Sequence, residues 1–395
     1  MGILIEPLDV CHFGTGTGST AGSVHVIKSH SFPFHFTIAG AIRSEVMRRS
    51  GKDPSELAEY INKGEKNDEY ERLLKNGRYF GPFLLKDNKE SRIEDRLYLP
   101  LPANIYRISE KEKREEKNQK EYFYAGWMKT PSIMKMDVPE GLTHFIWIDS
   151  LYRYEFSRGF LNLKGFVEYL KNPDFLDGEV GEILHISPVK MVRPGIKIKK
   201  ETGVAEDTYL YFEEYVYFFS RTDDGEEPYY LFIETEFEHK ILPENEDGEG
   251  LLPLGGENRF VVYRRVGFSL REYLEHVKDE VINRIIENSS DGEIFFNLIL
   301  LTPAYFKDGW KPMIDGVEIK GVVMERPIKY SGWDMAAISP APTKNYVREG
   351  TIFLCRTNER AIVEGLYLGS IGDEGTERGL GIVIPGVPKI IKKEA

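Results

Sequence analysis

Residues 188–215, PVKMVRPGIKIKKETGVAEDTYLYFEEY, decide how the rest of the chain is read. The stretch opens basic, with Lys190, Arg193, Lys197, Lys199 and Lys200 preceding the first acid, Glu201. Ile196-Lys197-Ile198-Lys199 alternates with period 2, so a strand here turns both lysines to one face and both isoleucines to the other. Glu201-Thr202-Gly203 has turn chemistry, and Thr208-Tyr209-Leu210-Tyr211-Phe212 is dense in strand formers. The expectation is a protruding hairpin with one cationic edge and an aromatic return strand. Such a hairpin suits a single-stranded nucleic acid, because cations follow phosphates and aromatic rings stack on bases. An ordinary solvated hairpin is the competing reading.

Outward from the hairpin, the 395 residues suffice for two domains with real cores. No apolar run reaches the ~18 residues of a membrane span and the first residues lack signal-peptide character, so a cytoplasmic protein is expected. Cys11 and Cys355 cannot form a disulfide framework or a four-thiolate zinc site, and are read as small buried hydrophobes. The net charge of −12 is unusual for a free-standing nucleic-acid binder. Its acids are segregated, however, into loops at 223–227 and 244–249. An acidic body with basic strips fits a subunit that meets RNA on one face and protein elsewhere.

Upstream, Ile3 to Phe13 reads as a buried first strand, followed by a Gly/Thr/Ser loop. Gly16-Thr17-Gly18-Ser19-Thr20-Ala21 matches the Ala-ended dinucleotide fingerprint, but an extended stretch follows where a helix would be needed. No nucleotide cofactor is expected. The first helix is read with Thr37 as N-cap, an apolar stripe of Ile38, Ala41, Ile42 and Met47, and Gly51 as its stop. Arg43, Arg48 and Arg49 lie off that stripe, and Arg43 is the ligand candidate among them. Further helices are expected from Asp53, over 68–75, over 160–170 and over 269–287. The polar run SEKEKREEKNQK at 109–120 belongs to a charged insertion around 52–135. Strands punctuated by few helices point to an α+β fold of antiparallel sheets. The acidic loop near 245 divides the chain into 1–245 and 246–395, the second part ending in a glycine-rich loop from Gly365 to Gly386.

Four stretches together resemble one family. They are IEPLDV with SFPFHFTIAGAIRSEV, RPGIKIKKETGVAEDTYLY, LGGENRF, and KYSGWDMAAISPAPTKNYVREGTIFL ending in GLGIVIPG. The chain resembles the third subunits of Cmr-type (type III-B) CRISPR effector complexes, in the Cas5-like branch of the RAMP superfamily. That resemblance implies two ferredoxin-like (RRM-like) domains and no nuclease activity. It also implies three partners: the 5′ handle of a CRISPR RNA, a large palm-domain subunit, and a neighbouring backbone RAMP subunit. Carried over by motif, Arg193, Lys197, Lys199 and Lys200 would contact the handle from the hairpin. Ser29, Ser31 and Arg43 would do so around the first helix, and Arg378 with Gly379 to Gly381 would form a loop under the RNA.

The rival reading is a metal-independent RAMP endoribonuclease that processes guide precursors. His12, His25, His30 and His35 cluster before the first helix, and His30 and His35 are the candidate catalytic pair, since an imidazole beside an RNA backbone supports attack by a 2′-hydroxyl. Their spacings of 13, 5 and 5 match no metal-ligand pattern, so no metal is expected.

Overall fold

The computed structural model describes residues 2–15, 26–53, 56, 78–87, 91–109, 121–131, 138–148, 153–172, 174, 181–222, 225–241, 248–257, 259–289, 292–334 and 339–391. In chain order, the elements used below begin with β1 (Gly2–Pro7), α1 (His35–Arg49), β2 (Tyr79–Lys86) and α2 (Leu163–Lys171). Then come β3 (Pro188–Ile198), β4 (Ala205–Thr222), β5 (Gly225–Thr235), α3 (Glu238–Ile241), β6 (Glu249–Pro253) and β7 (Phe260–Val266). The last are α4 (Leu270–Glu287), β8 (Ile294–Leu300), β9 (Glu318–Val323), β10 (Ile352–Thr357), α5 (Arg360–Leu366) and β11 (Val383–Gly386). Two compact units result, each assembled from three stretches: Met1–Asn88, Ile186–Phe268 and Lys329–Asn345 form the first, and Lys89–His185, Ser269–Ile328 and Tyr346–Ala395 the second. This interleaving differs from the expected single cut near residue 245, because long-range strand pairing rather than loop composition decides where the chain belongs.

In the first unit the sheet order is β2-β5-β1-β7-β6, every neighbour antiparallel. Taken as β1-α1-β2 followed by β5-α3-β7, the strands stand in the order 4-1-3-2, with β6 added at the edge. Helix α1 packs on β2, β6 and α3, burying the expected Ile38, Ala41, Ile42 and Met47. It begins earlier than expected. Phe34 is its N-cap residue, without a side-chain cap, and its ring stacks on Tyr330 at 4.1 Å. Thr37 therefore lies inside the first turn, where its hydroxyl meets the Tyr330 hydroxyl at 3.2 Å. Glu45 is buried on the same helix and accepts hydrogen bonds from Arg48, Arg49 and Tyr263. Burial alone would raise its carboxyl, but those three donors outweigh it and hold the group below the ordinary carboxylate range. Arg48 and Arg49 thus neutralise a buried acid instead of forming a plain solvated face.

The second unit contains the four-stranded antiparallel sheet β9-β10-β8-β11. Its strands again fall in the order 4-1-3-2, and β10-α5-β11 forms a split βαβ with β8 between the two strands. The connection from β8 to β9 is irregular, and α4 precedes β8 instead of following it. Ser269 caps α4 by accepting from the Glu272 N–H at 3.2 Å. That is the pattern expected of Ser followed three residues later by Glu. Helix α4 lies against β8 and β11, and α5 against β10 and β11. Residues expected to belong to a charged insertion contribute strands and core: Ile105–Ile108 pairs with Tyr122–Tyr124, and Trp127 on Gly126–Lys129 is fully buried. The helix expected over 68–75 and the polar run at 110–120 lie outside the described residues, as does most of the helix expected from Asp53.

Among the described residues, no helix is long and apolar enough to cross a membrane, and no group of three or more His, Cys, Asp or Glu is gathered to hold a metal ion. Cys11 and Cys355 are free and buried, and burial pushes the Cys11 thiol up to about 12.

Two outcomes test this packing. The Trp127 indole N–H donates to Asn297 Oδ1 at 2.7 Å, with both residues fully buried. Trp127→Phe leaves that acceptor without its donor and opens a small cavity, so stability measured by circular dichroism in urea should fall by about 3 kcal/mol. The double variant Trp127→Phe/Asn297→Leu should recover part of the loss. Separately, burial holds the His35 imidazole down at about 3, from an ordinary 6.5. The unfolded chain takes up a proton below the ordinary value and the folded chain does not, so stability falls as pH drops from 6.5 toward 3, by on the order of 4 kcal/mol over that window. His35→Leu should flatten this acid limb in thermal melts run between pH 7 and 4; an unchanged limb would place the acid sensitivity elsewhere.

Candidate nucleic-acid interface

The hairpin is present and longer than expected, with β4 pairing antiparallel with β5 from Phe219 opposite Pro228 to Thr222 opposite Gly225. Its register gives each face a distinct chemistry. Arg193 stands opposite Glu213, Gly195 opposite Tyr211 and Met191 opposite Tyr215, so these side chains share one face. A Cβ on Gly195 would lie 2.3 Å from the Tyr211 ring, so the glycine lets that ring lie across the strand. The other face carries Val192, Ile196 and Leu210, each about half exposed at 49, 53 and 48%.

The expected alternation of lysines ends early. The register shifts between Ile196 and Ile198, and the strand stops at Ile198. Lys199 then starts the turn, its N–H donating to Val204 O and its carbonyl accepting from Gly203 N–H, both at 2.9 Å. Lys199 and Lys200 are therefore exposed turn residues and not members of a strand face. The Lys197 side chain lies outside the described residues.

At its root the hairpin is tied to the segment that precedes α1. Cys11 and Val216 exchange backbone hydrogen bonds at 2.9 and 2.8 Å, and His12 Nδ1 donates to Glu214 O at 2.8 Å. Ser29 is buried. Its hydroxyl accepts from Phe13 N–H at 2.8 Å and donates to His30 O at 3.0 Å. Lys190 Nζ donates both to Ser29 O at 2.8 Å and to Glu214 Oε1 at 2.7 Å. Ser29 and Lys190 thus act in this structure as fastenings within the protein. Ser31 is half-buried in the bend before α1. Arg43 is buried with its guanidinium 5.7 Å over the Tyr79 ring, inside the first unit and not on its surface.

On the cationic face, the Tyr215 ring is flanked by two arginines. The guanidinium of Arg193 lies 5.3 Å from its centroid and that of Arg259 lies 4.9 Å away. The Tyr215 hydroxyl donates to Glu213 at 2.7 Å, and burial together with that carboxylate raises its phenol above the ordinary value. Arg259 was missed by composition and spacing, although it sits in the LGGENRF stretch. The reason for the first of the two adjacent glycines there is now visible: Gly255 has φ +81°, and a Cβ on it would lie 2.3 Å from His12 O.

In the second unit, Thr376–Arg378 forms a single 3-10 turn between Gly375 and Gly379, both left-handed. Ile371 N–H donates to Gly381 O at 2.9 Å, and Gly381 N–H to Pro303 O at 2.8 Å. Gly379 and Gly381 are buried, and a Cβ on Gly381 would fall 2.7 Å from Gly372 N. The close approach that Gly381 allows is to the protein's own backbone. Arg378 is half-exposed and paired with Glu377 at 3.0 Å.

Of the two histidines considered as catalytic, His35 is buried and held neutral. His30 lies beside Tyr330, ring to ring at 5.9 Å. Trp333 and Asp334 pair with Pro340 and Ser339 in a short hairpin, closed by a hydrogen bond from Ala341 N–H to Gly332 O at 2.8 Å.

No curated protein matches this chain. Among solved structures it is similar to a chain of the Type III-B Cmr-beta bound to cognate target RNA, at 15% identity and a TM-score of 0.45, covering 92% of this chain and 88% of that one. It is also similar to a chain of Cmr-beta bound to cognate target RNA and AMPPnP, with the same identity and coverages and a TM-score of 0.44. The profile of the CRISPR-associated protein (Cas_Cmr3) family matches residues 3–387, which is nearly the whole length. The chain belongs to the Cmr3 family of CRISPR-associated proteins, the third subunits of type III-B effector complexes.

Proposed function

We propose that this subunit is a non-catalytic RNA-binding component that holds the 5′ handle of the CRISPR RNA and docks the large palm-domain subunit and a neighbouring backbone RAMP subunit. The observation that carries the RNA reading is the hairpin face. It presents Arg193 and the ring of Tyr211 on a strand pair whose turn exposes Lys199 and Lys200, with Arg259 brought beside that face from the loop before β7. Guanidinium and ammonium groups follow a phosphate backbone, and tyrosine rings accept stacked bases without sequence preference. We read the first unit as ferredoxin-like from its βαββαβ succession and 4-1-3-2 strand order. The second unit shares that strand order but not the first helical crossover. Ser31 and Arg378 remain handle-contact candidates on the surface, whereas Ser29, Gly379 and Gly381 act through the backbone shapes they support and Arg43 through its packing over Tyr79.

A catalytic role for His35 conflicts with its surroundings. An imidazole buried beyond solvent and held neutral down to about pH 3 neither reaches an RNA backbone nor donates a proton at neutral pH.

Fluorescence anisotropy of the chain on guide RNA with an intact or a scrambled 5′ handle, alone and with the large subunit, tests the proposal. Tighter binding to the intact handle with the RNA recovered uncut is the expected result. Neutralising about four phosphates gives a log–log salt slope near roughly −3, and replacing Arg193, Lys199 and Lys200 together should flatten it by about 2. RNA recovered cleaved, with cleavage abolished by His30→Ala or His35→Ala, would establish the nuclease instead.

A further inference from the structure

Three segments far apart in sequence converge beside Tyr215. Asp9 follows β1, Arg193 sits within β3, and Arg259 ends the loop that leads into β7. Asp9 Oδ2 lies 3.9 Å from Arg193 Nη2 and 3.4 Å from Arg259 Nη1. One carboxylate oxygen is therefore shared by two guanidiniums that also flank one aromatic ring. The side chains of Asp9, Arg193 and Arg259 are 52, 38 and 26% exposed, so solvent and a ligand both reach them.

The loop that delivers Arg259 is built for its position. Leu254 N–H donates to Arg259 O, and Gly256 N–H to His12 O, both at 2.9 Å. Between them Glu257 holds φ +61°, a left-handed conformation that is strained for a residue with a side chain. Strain of this kind persists where the surroundings over-determine it. Here it places a guanidinium on the same ring that Arg193 reaches from the hairpin.

We propose that Arg193 and Arg259 form a phosphate site for a nucleic-acid strand lying on the hairpin face, and that Asp9 is a built-in competitor for that site. The inference rests on the RNA reading above and extends it to Asp9, which that reading did not use. Carboxylate and phosphate oxygens present the same acceptor to a guanidinium, and a phosphate offers more of them. At 3.4 and 3.9 Å the Asp9 contacts are longer than good charged hydrogen bonds, so the pairing is Coulombic, partly solvated and readily exchanged. Two further acids face the same ring. Glu213 accepts from the Tyr215 hydroxyl, and the charge of Glu257 is felt by the Tyr215 phenol. With Asp9 they set three carboxylates against two guanidiniums, an excess of one negative charge, which selects against small free anions and leaves the site to a strand whose other phosphates are held by the exposed turn lysines.

Anisotropy on the full chain with a fluorescein-labelled single-stranded RNA carrying the repeat-derived 5′ handle decides the matter. Removing a competing exposed ion pair is worth up to about fivefold, so Asp9→Asn should tighten RNA binding roughly threefold at low salt. Arg259→Gln should weaken binding and flatten the salt slope by about 0.7, the contribution of one phosphate on a single strand. In the Arg259→Gln background, where only Arg193 is left for Asp9 to compete over, Asp9→Asn should tighten binding less than it does in the wild-type chain. Wild-type-like or weaker binding by Asp9→Asn, in a variant whose thermal melting is unchanged, overturns the inference while leaving the RNA reading intact. A wild-type chain with no affinity for the handle overturns both. If inorganic phosphate displaces the RNA more effectively than chloride at matched ionic strength, the site takes free anions and its assignment to a strand is overturned.

Discussion

The Glu214 carboxylate is the contact on which the hairpin depends. A two-stranded ribbon has no core of its own and is marginal in water unless its base is packed. Beside the Cys11–Val216 backbone pair and the short strand Val26–Ile27 that pairs with Phe212 and Glu213, the base here is fastened by one acid that accepts from the Ser29 N–H at 3.1 Å and from Lys190 Nζ at 2.7 Å through the same oxygen. The Glu214 carbonyl meanwhile accepts a hydrogen bond from His12 Nδ1. Three stretches, 11–14, 29–30 and 190–216, are thereby held in register, and everything displayed on the ribbon inherits that register.

Given a fixed base, the two faces divide the work. One face gathers guanidiniums, tyrosine rings and three acids into a nearly balanced polar surface. The other leaves Val192, Ile196 and Leu210 half in water, more aliphatic surface than a solitary ribbon would keep without a use for it. The charge pattern is also compatible with the proposed RNA reading of a chain of net charge −12. Its cations are deployed singly and are often paired, so under that reading attraction to RNA would depend on geometry and not on bulk potential.

Local features were legible in the sequence and long-range ones were not. The Ser269 cap of α4, the buried stripe of α1 and the turn at 199–204 each follow from residues within a few positions of one another. Thr37 misled because its competitor for the helix start, Phe34, is held by Tyr330, almost three hundred residues away. The alternation at Ile196 to Lys199 failed at a register shift that only the partner strand imposes. Ser29 and Arg43 read as surface candidates because their burial comes from Phe13, Tyr79 and strands remote in sequence. Arg259 could not be singled out, since Asp9, Arg193 and Tyr215 meet it only in the folded chain. The domain boundary was obscured for the same reason: composition marks a loop at 245, whereas strand pairing threads the chain from one unit to the other and back.

That threading bears on how the protein comes into being on the ribosome. Tyr330, which stacks on Phe34 at the start of α1, belongs to a stretch made long after the rest of the first unit, and the second unit receives β11 later still. Neither unit can be finished in the order in which its first residues emerge. Sheet edges that would ordinarily be covered at once must wait in an unfinished state for most of synthesis, and such edges invite wrong pairings. For this chain, making the polypeptide and completing its fold are close to simultaneous events.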